Sequence, residues 1–237
     1  MEDNRNKTYE AFSLVEMLIT MVIIGIVMVT SALVLTTLIK VSTVTTNKTR
    51  VRTESEYMQE ILKRTIRTTD PSNVQLYNTI ETDNPKIYNP ESSLVTGSDD
   101  AYEYPLDVNL KGNEIHLRPF GSNRWTCVGF FKSGEMERID NTVPEGYILK
   151  TSMPEEKYAP DKCFNSTEND PSNYIVLNSR FVNVSKLEMM YTESVDGNKE
   201  YFIDLYADAL YWYFSKGAPL NREIVRQTIV KTESVKW

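Results

Sequence analysis

The chain has 237 residues, 41% of them hydrophobic, with a net charge of −7, two cysteines and one histidine. That length allows one membrane anchor plus one domain of ordinary size, with enough apolar content left over for a core. The lone histidine has no serine or cysteine signature beside it, which argues against a nucleophilic triad or a zinc site, and no glycine-rich phosphate loop occurs.

The first eleven residues, MEDNRNKTYEA, are polar and end in small Ala11. From residue 12 the sequence runs FSLVEMLITMVIIGIVMVTSALVLTTLI, and Glu16 is its only charge before Lys40. A helix crosses a hydrocarbon core of about 30 Å with about 20 residues, so this run is long enough with some to spare. A carboxylate within such a helix costs about 2.5–3.5 kcal/mol on insertion scales, which makes Glu16 a functional candidate. The plainer alternative places Glu16 at headgroup depth in an ordinary signal anchor.

Ala11, Phe12, Ser13, Leu14, Val15, Glu16 and Met17 together resemble the prepilin signal of type IV pilins and type II secretion pseudopilins. The resemblance covers about the first 60 residues; at Ala11 this family normally carries glycine. It implies cleavage by a prepilin peptidase after Ala11 and N-methylation of the new terminal Phe12. It also implies an assembly role for Glu16, the fifth residue of the mature chain. Physical chemistry agrees. A freed α-amino group, with a reference pKa of about 8, is largely cationic at neutral pH, and such a partner can hold a buried carboxylate ionised. Pairing Glu16 of one subunit with the N-terminus of its neighbour would relieve two desolvated charges and set a register between helices.

Further along, Thr30, Val34, Thr36, Thr37, Val41, Thr43, Val44, Thr45 and Thr46 form a β-branched stretch of weak helix propensity, with no proline before Pro71. Met58, Ile61, Leu62, Thr65 and Ile66 then recur on one face of a helix, with Glu60 and Arg64 spaced for an i,i+4 ion pair on the other. Thr68, Thr69, Asp70 and Pro71 end it. Residues 40–67 carry seven bases against three acids, a net +4, which leaves −9 on residues 68–237. This imbalance points to docking of stalk on head, or of one subunit on the next. DNA binding by the stalk is the sharper alternative, weighed against a solvated or partner-facing surface.

Residues 71–172 are turn-rich, with candidate strands at 74–77, 114–118, 124–132 and 146–150 and long excursions at 78–104 and 152–173. Leu187, Met189 and Tyr191 alternate with Lys186, Glu188 and Met190; Asp196-Gly197 then makes a hairpin turn into Tyr201, Ile203 and Leu205. Leu210, Trp212 and Phe214 share one face of the next segment. Residues 223–231 supply a closing strand after Gly217-Ala218-Pro219. Two acidic clusters, Ser98-Asp99-Asp100 and Glu168-Asn169-Asp170, lack the spacing of a defined calcium loop.

The expected fold is therefore α+β: a long N-terminal helix, membrane-spanning then amphipathic, packed on a β-rich head. The parts are a leader at 1–11, the spanning half at 12–39, the amphipathic half at 40–70 and the head at 71–237. No catalytic residue, metal or cofactor is assigned. The resemblance implies a structural subunit whose partners are other pilins, the peptidase/methyltransferase, an inner-membrane assembly platform and the lipid bilayer. It implies a single-pass protein of the cytoplasmic membrane with its head outside, destined for a pilus or pseudopilus. A count of flanking Lys and Arg alone places the N-terminus outside, and the motif is given precedence over that count. An extracytoplasmic head makes a Cys127–Cys163 disulfide the leading expectation, worth about 3–4 kcal/mol in the chain-entropy model; two buried thiols are the alternative. A J-type minor pseudopilin, or its pilus counterpart, is the nearest subfamily. The rival from another class is an anchored binding or sensor protein that never polymerises.

Overall fold

A computed structural model describes residues 13–134, 145–193, 195, 199–209 and 224–231. One helix, α1 (Leu14–Arg67), leads into the strands. It runs unbroken through the β-branched stretch, and its threonines show how. The hydroxyls of Thr30, Thr36, Thr37 and Thr43 donate to the carbonyls of Ile26, Ala32, Leu33 and Ile39, one turn back, at 2.8–3.0 Å. Each polar group is thereby satisfied within the helix, which matters wherever water is absent.

The chain divides into two compact units, Met1–Thr46 and Asn47–Trp237, so residues 47–67 of α1 belong with the strands. In that second unit Val51, Ser55, Met58, Leu62 and Ile66 are buried, at spacings of three and four residues, as an apolar helical face requires. Ile61 packs against the rim of this core. The ion pair expected between Glu60 and Arg64 does not form. The i,i+4 pairs on this stretch are Arg50–Glu54 and Arg52–Glu56, earlier in the helix.

The helix stops at Arg67, and the Thr68 and Thr69 hydroxyls return to the Arg64 and Thr65 carbonyls. Thr68 alone makes the turn that follows. The chain passes straight into β1 (Thr69–Tyr77), whose register slips between Thr69 and Val74. Within that slip the Asp70 carboxylate accepts from the Ser72 N–H and hydroxyl, and these bonds hold its pKa below the usual value. Asp70-Pro71 thus forms a bulged strand entry instead of a loop.

The larger sheet adds β2 (Ile87–Asn89), β3 (Leu94–Thr96), β4 (Glu114–Pro119), β5 (Arg124–Ser133), β6 (Gly146–Pro154) and β7 (Ile175–Val176). Its path is β1-β4-β5-β2-β3, with β6 on the other side of β5 and β7 beyond it; only the β2–β5 pairing is parallel. The smaller sheet is antiparallel, in the order β10-β9-β8, from β8 (Val182–Glu193), β9 (Lys199–Ala209) and β10 (Ile224–Lys231). The β8–β9 pairing reaches Glu193 opposite Lys199, as the hairpin pattern predicts. The Asp196-Gly197 turn itself lies outside the described residues, as do Leu210, Trp212, Phe214 and the Gly217-Ala218-Pro219 turn.

The architecture is α+β, a long apolar helix followed by a head of two sheets. One core joins the helix face to both sheets, through Met58, Leu62 and Ile66 with Ile115, Leu117 and Ile148 and with Leu187, Met189 and Ile203. The opposite face of the larger sheet carries a second core, around Phe131, Leu149, Cys127, Cys163 and Phe164. The loops of residues 155–174 cover it, held by short 3-10 turns. Gly112 bridges to Met189 and so links the sheets; a Cβ there would come within 2.5 Å of the Tyr77 carbonyl oxygen, closer than any side chain allows.

Candidate functional site

The first turn of α1 is closed by a reciprocal pair of bonds. The Glu16 N–H donates to Ser13 Oγ at 3.2 Å, and the Ser13 N–H donates to Glu16 Oε2 at 3.1 Å. This is a capping box, which satisfies two of the donors that every helix N-terminus leaves without intrahelical partners. An acid in the first turn also faces the positive end of the helix dipole. Glu16 therefore has a partner in its own chain, through one carboxylate oxygen. The Ser-x-x-Glu spacing is the sequence signal for this arrangement, and Ser13 is a residue to which no role was assigned from the sequence. Ala11 and Phe12, the expected processing residues, lie outside the described residues.

Beyond the cap, every residue of α1 from 14 to 42 is exposed, including Leu33 at 64% and Met28 at 67%. Among the described residues this is the one helix long and apolar enough to cross a membrane. A helix that is apolar on all sides and covered by nothing within its own unit requires a lipid or protein surround.

The head holds a second cluster, which no local pattern announced. Glu114 and His116 alternate onto the same face of β4, and both are fully buried, with His116 Nε2 2.6 Å from Glu114 Oε1. The Tyr102 hydroxyl donates to the Glu114 carboxylate, lying 3.0 and 2.9 Å from its two oxygens. His116 Nδ1 lies 2.9 Å from the Tyr158 hydroxyl, which in turn donates to Gln75 Oε1. Burial, then the adjacent Glu114 charge, pushes the Tyr102 hydroxyl far up; burial does the same to Tyr158. Both phenols therefore keep their protons as donors. Lys86, itself buried, pairs with Asp99 at 2.6 Å and sits over the Tyr102 ring at 4.6 Å.

The antiparallel register of β4 and β5 places Cys127 opposite His116, and Cys127 is joined to Cys163 with a Cα–Cα separation of 6.3 Å. The ligand atoms of His116, Cys127 and Cys163 lie within 4.8 Å of one another. The two sulfurs are bonded to each other, however, and both imidazole nitrogens are hydrogen-bonded, so the trio has no open donor set in this state. Cross-strand register brought it together; the sequence places ten residues between His116 and Cys127 without a motif.

The two acidic clusters are employed inside the head. Asp99 is paired with Lys86, Asp170 caps the turn at Ser172, Glu168 meets Lys162 at 3.6 Å, and Asn169 bonds Thr151 and the Cys163 carbonyl. The stalk docks on the head through apolar side chains, one acid and one arginine. Glu54 accepts from the Ser179 N–H at 2.9 Å and hydroxyl at 2.8 Å, and Arg50 lies over the Phe181 ring at 4.4 Å.

No curated protein and no solved structure matches the chain. Residues 6–32 match the family model described as the prokaryotic N-terminal methylation motif. That span includes the cleavage position expected from the sequence, the capping box and the first half of the apolar run. With the apolar helix it fits a membrane-anchored, pilin-like protein, and it points to a structural subunit instead of an enzyme. The chain thus carries the prokaryotic N-terminal methylation motif at the start of α1, consistent with a type IV pilin or pseudopilin.

Proposed function

We propose that the protein is a minor pilin or pseudopilin, a structural subunit cleaved after Ala11, N-methylated on Phe12 and packed into a filament through α1. The observation that supports this most is the motif over residues 6–32, placed at the start of a helix with no covered residue from 14 to 42. The cytoplasmic membrane stores the helix before assembly, with the head outside. Neighbouring helices replace lipid afterwards. A large head and an uninterrupted helix favour a low-copy initiating or tip subunit.

Glu16 guides assembly in this reading. Its capping bond engages Oε2, and a carboxylate has lone pairs on both oxygens, so a neighbour's α-ammonium can be accepted while the cap persists. In a low-dielectric surround an unpaired charge is costly, so the pair forms where two subunits are in register. Residues 12–39 and 40–70 act as spanning and stalk segments, and 71–237 as the head.

Co-expression with and without a prepilin peptidase, followed by mass spectrometry of the purified N-terminus, tests the reading. Loss of residues 1–11 with a methylated Phe12 is expected. A protein that still begins at Met1 in the presence of an active peptidase would instead be an anchored, non-polymerising ectodomain. Glu16→Ala should leave membrane insertion intact and reduce filament incorporation at least about tenfold, the equivalent of about 1.4 kcal/mol; normal incorporation would remove the proposed pairing.

A further inference from the structure

Two long excursions far apart in sequence, residues 78–104, which carry β2 and β3, and residues 155–174, both contribute to the second core of the larger sheet. We propose that Glu114 and His116 form a single latch that joins them, so that the two excursions loosen or hold together as one surface. The latch needs no assumption about cleavage or assembly.

The connection runs through four side chains. Tyr102 belongs to the first excursion, is 6% exposed, and donates to the Glu114 carboxylate. Glu114 Oε1 contacts His116 Nε2 at 2.6 Å, and His116 Nδ1 contacts the Tyr158 hydroxyl at 2.9 Å. Tyr158 belongs to the second excursion and stacks on Trp125 with ring centroids 4.1 Å apart and planes 7° from parallel. An imidazole has two ring nitrogens on opposite sides, so His116 can take an acid with one and a phenol with the other. Both members of the central pair are fully buried. When either phenol leaves, it strands a buried polar atom that water does not reach, and the remaining bonds weaken because polar networks reinforce one another.

Each excursion is also tied down by itself. Lys86 grips Tyr102 and Asp99 in the first, and Cys163 bonds Cys127 in the second. The excursions touch directly as well, where the Ser166 hydroxyl meets the Val95 backbone at 3.1 and 3.3 Å. Asn165 also reaches Asp99 at 3.5 Å, and Val95 and Phe164 share the second core. Coupling can therefore run through the buried latch or through these direct contacts, and the hydroxyl contact at Ser166 is the direct one a single substitution removes.

Hydrogen–deuterium exchange on the full chain in detergent micelles separates them. Tyr158→Phe keeps the ring on Trp125 and removes only the hydroxyl. It should raise amide exchange about fivefold or more in residues 99–104, the lower end of ordinary coupling between sites. Tyr102→Phe should do the same in residues 155–163. The double variant should resemble either single one, because both remove the same latch. Amides of β9, in the other sheet, should not change, and they report that each variant is folded. The effect of Tyr158→Phe should persist in Ser166→Ala. The proposal is overturned if each variant changes only its own excursion, if the two effects add, or if Ser166→Ala abolishes the coupling.

Discussion

The two units of this chain solve the burial of polar groups in opposite ways. Residues 13–46 pair their polar groups locally, through helix bonds, the hydroxyls of Thr30, Thr36, Thr37 and Thr43 one turn back, and a capping box between Ser13 and Glu16. The head relies on partners far away in sequence. Glu54 reaches Ser179, Tyr158 reaches Gln75, and Cys127 reaches Cys163. A segment that satisfies itself tolerates a change of surroundings from lipid to other helices. A domain built from distant contacts keeps one arrangement and presents a fixed surface.

The sharpest test of that contrast is the disulfide, which closes a span of 36 residues. Its reduction should destabilise the head by about 4 kcal/mol on the chain-entropy account, while far-UV signals from the anchor helix stay unchanged. Urea unfolding followed with and without a phosphine reductant measures it. A matched pair of leucines comes next. Leu62→Ala, in the core, should cost the head about 3 kcal/mol, whereas Leu33→Ala, at 64% exposure, should leave head unfolding where it was. Equal effects would mean that the helix and head unfold as one body.

Smaller effects probe the local bonds. Ser13→Ala removes the side-chain half of the capping box and should weaken the first turn by about 1 kcal/mol, read as faster exchange of the Glu16 amide with no change in the head. The least expected effect is at Glu188, held by Lys111 at 3.0 Å and Lys186 at 2.8 Å. Burial pushes its pKa up, but the two lysines outweigh burial and hold it below the ordinary value. A depressed carboxylate pKa contributes stability above the unfolded value, and the contribution fades as pH falls through the folded one. Glu188→Gln should therefore cost about 0.5 kcal/mol at pH 7, and the gap to wild type should close below about pH 4.

How much of this was legible beforehand varies with the range of the interaction. Met58, Leu62 and Ile66 announced their shared face because helical spacing repeats every three to four residues, and all three are buried. Leu187 and Met189 announced theirs by alternation. The Glu60–Arg64 pair was equally well spaced and did not form, because an exposed ion pair gains too little to hold two long side chains in place. Thr68, Thr69, Asp70 and Pro71 announced the end of the helix, which stops at Arg67; that the chain then enters β1 through a register shift beside the Asp70–Ser72 bonds was not legible.

What the sequence determined by itself is whatever a residue decides with its near neighbours: the apolar helix, the Ser13–Glu16 spacing, the motif over residues 6–32 and the strand alternation. What the tertiary structure alone decided is the distant company of His116, beyond Glu114 two residues away on the same strand. Its sequence neighbours are Ile115 and Leu117, whereas its bonding partners at Tyr158 and its cross-strand partner at Cys127 arrive through sheet register and a loop that folds back. Periodicity is carried by the backbone and can be read along the chain. Register is set by which faces bury the most apolar surface together, and that is a property of the assembled core.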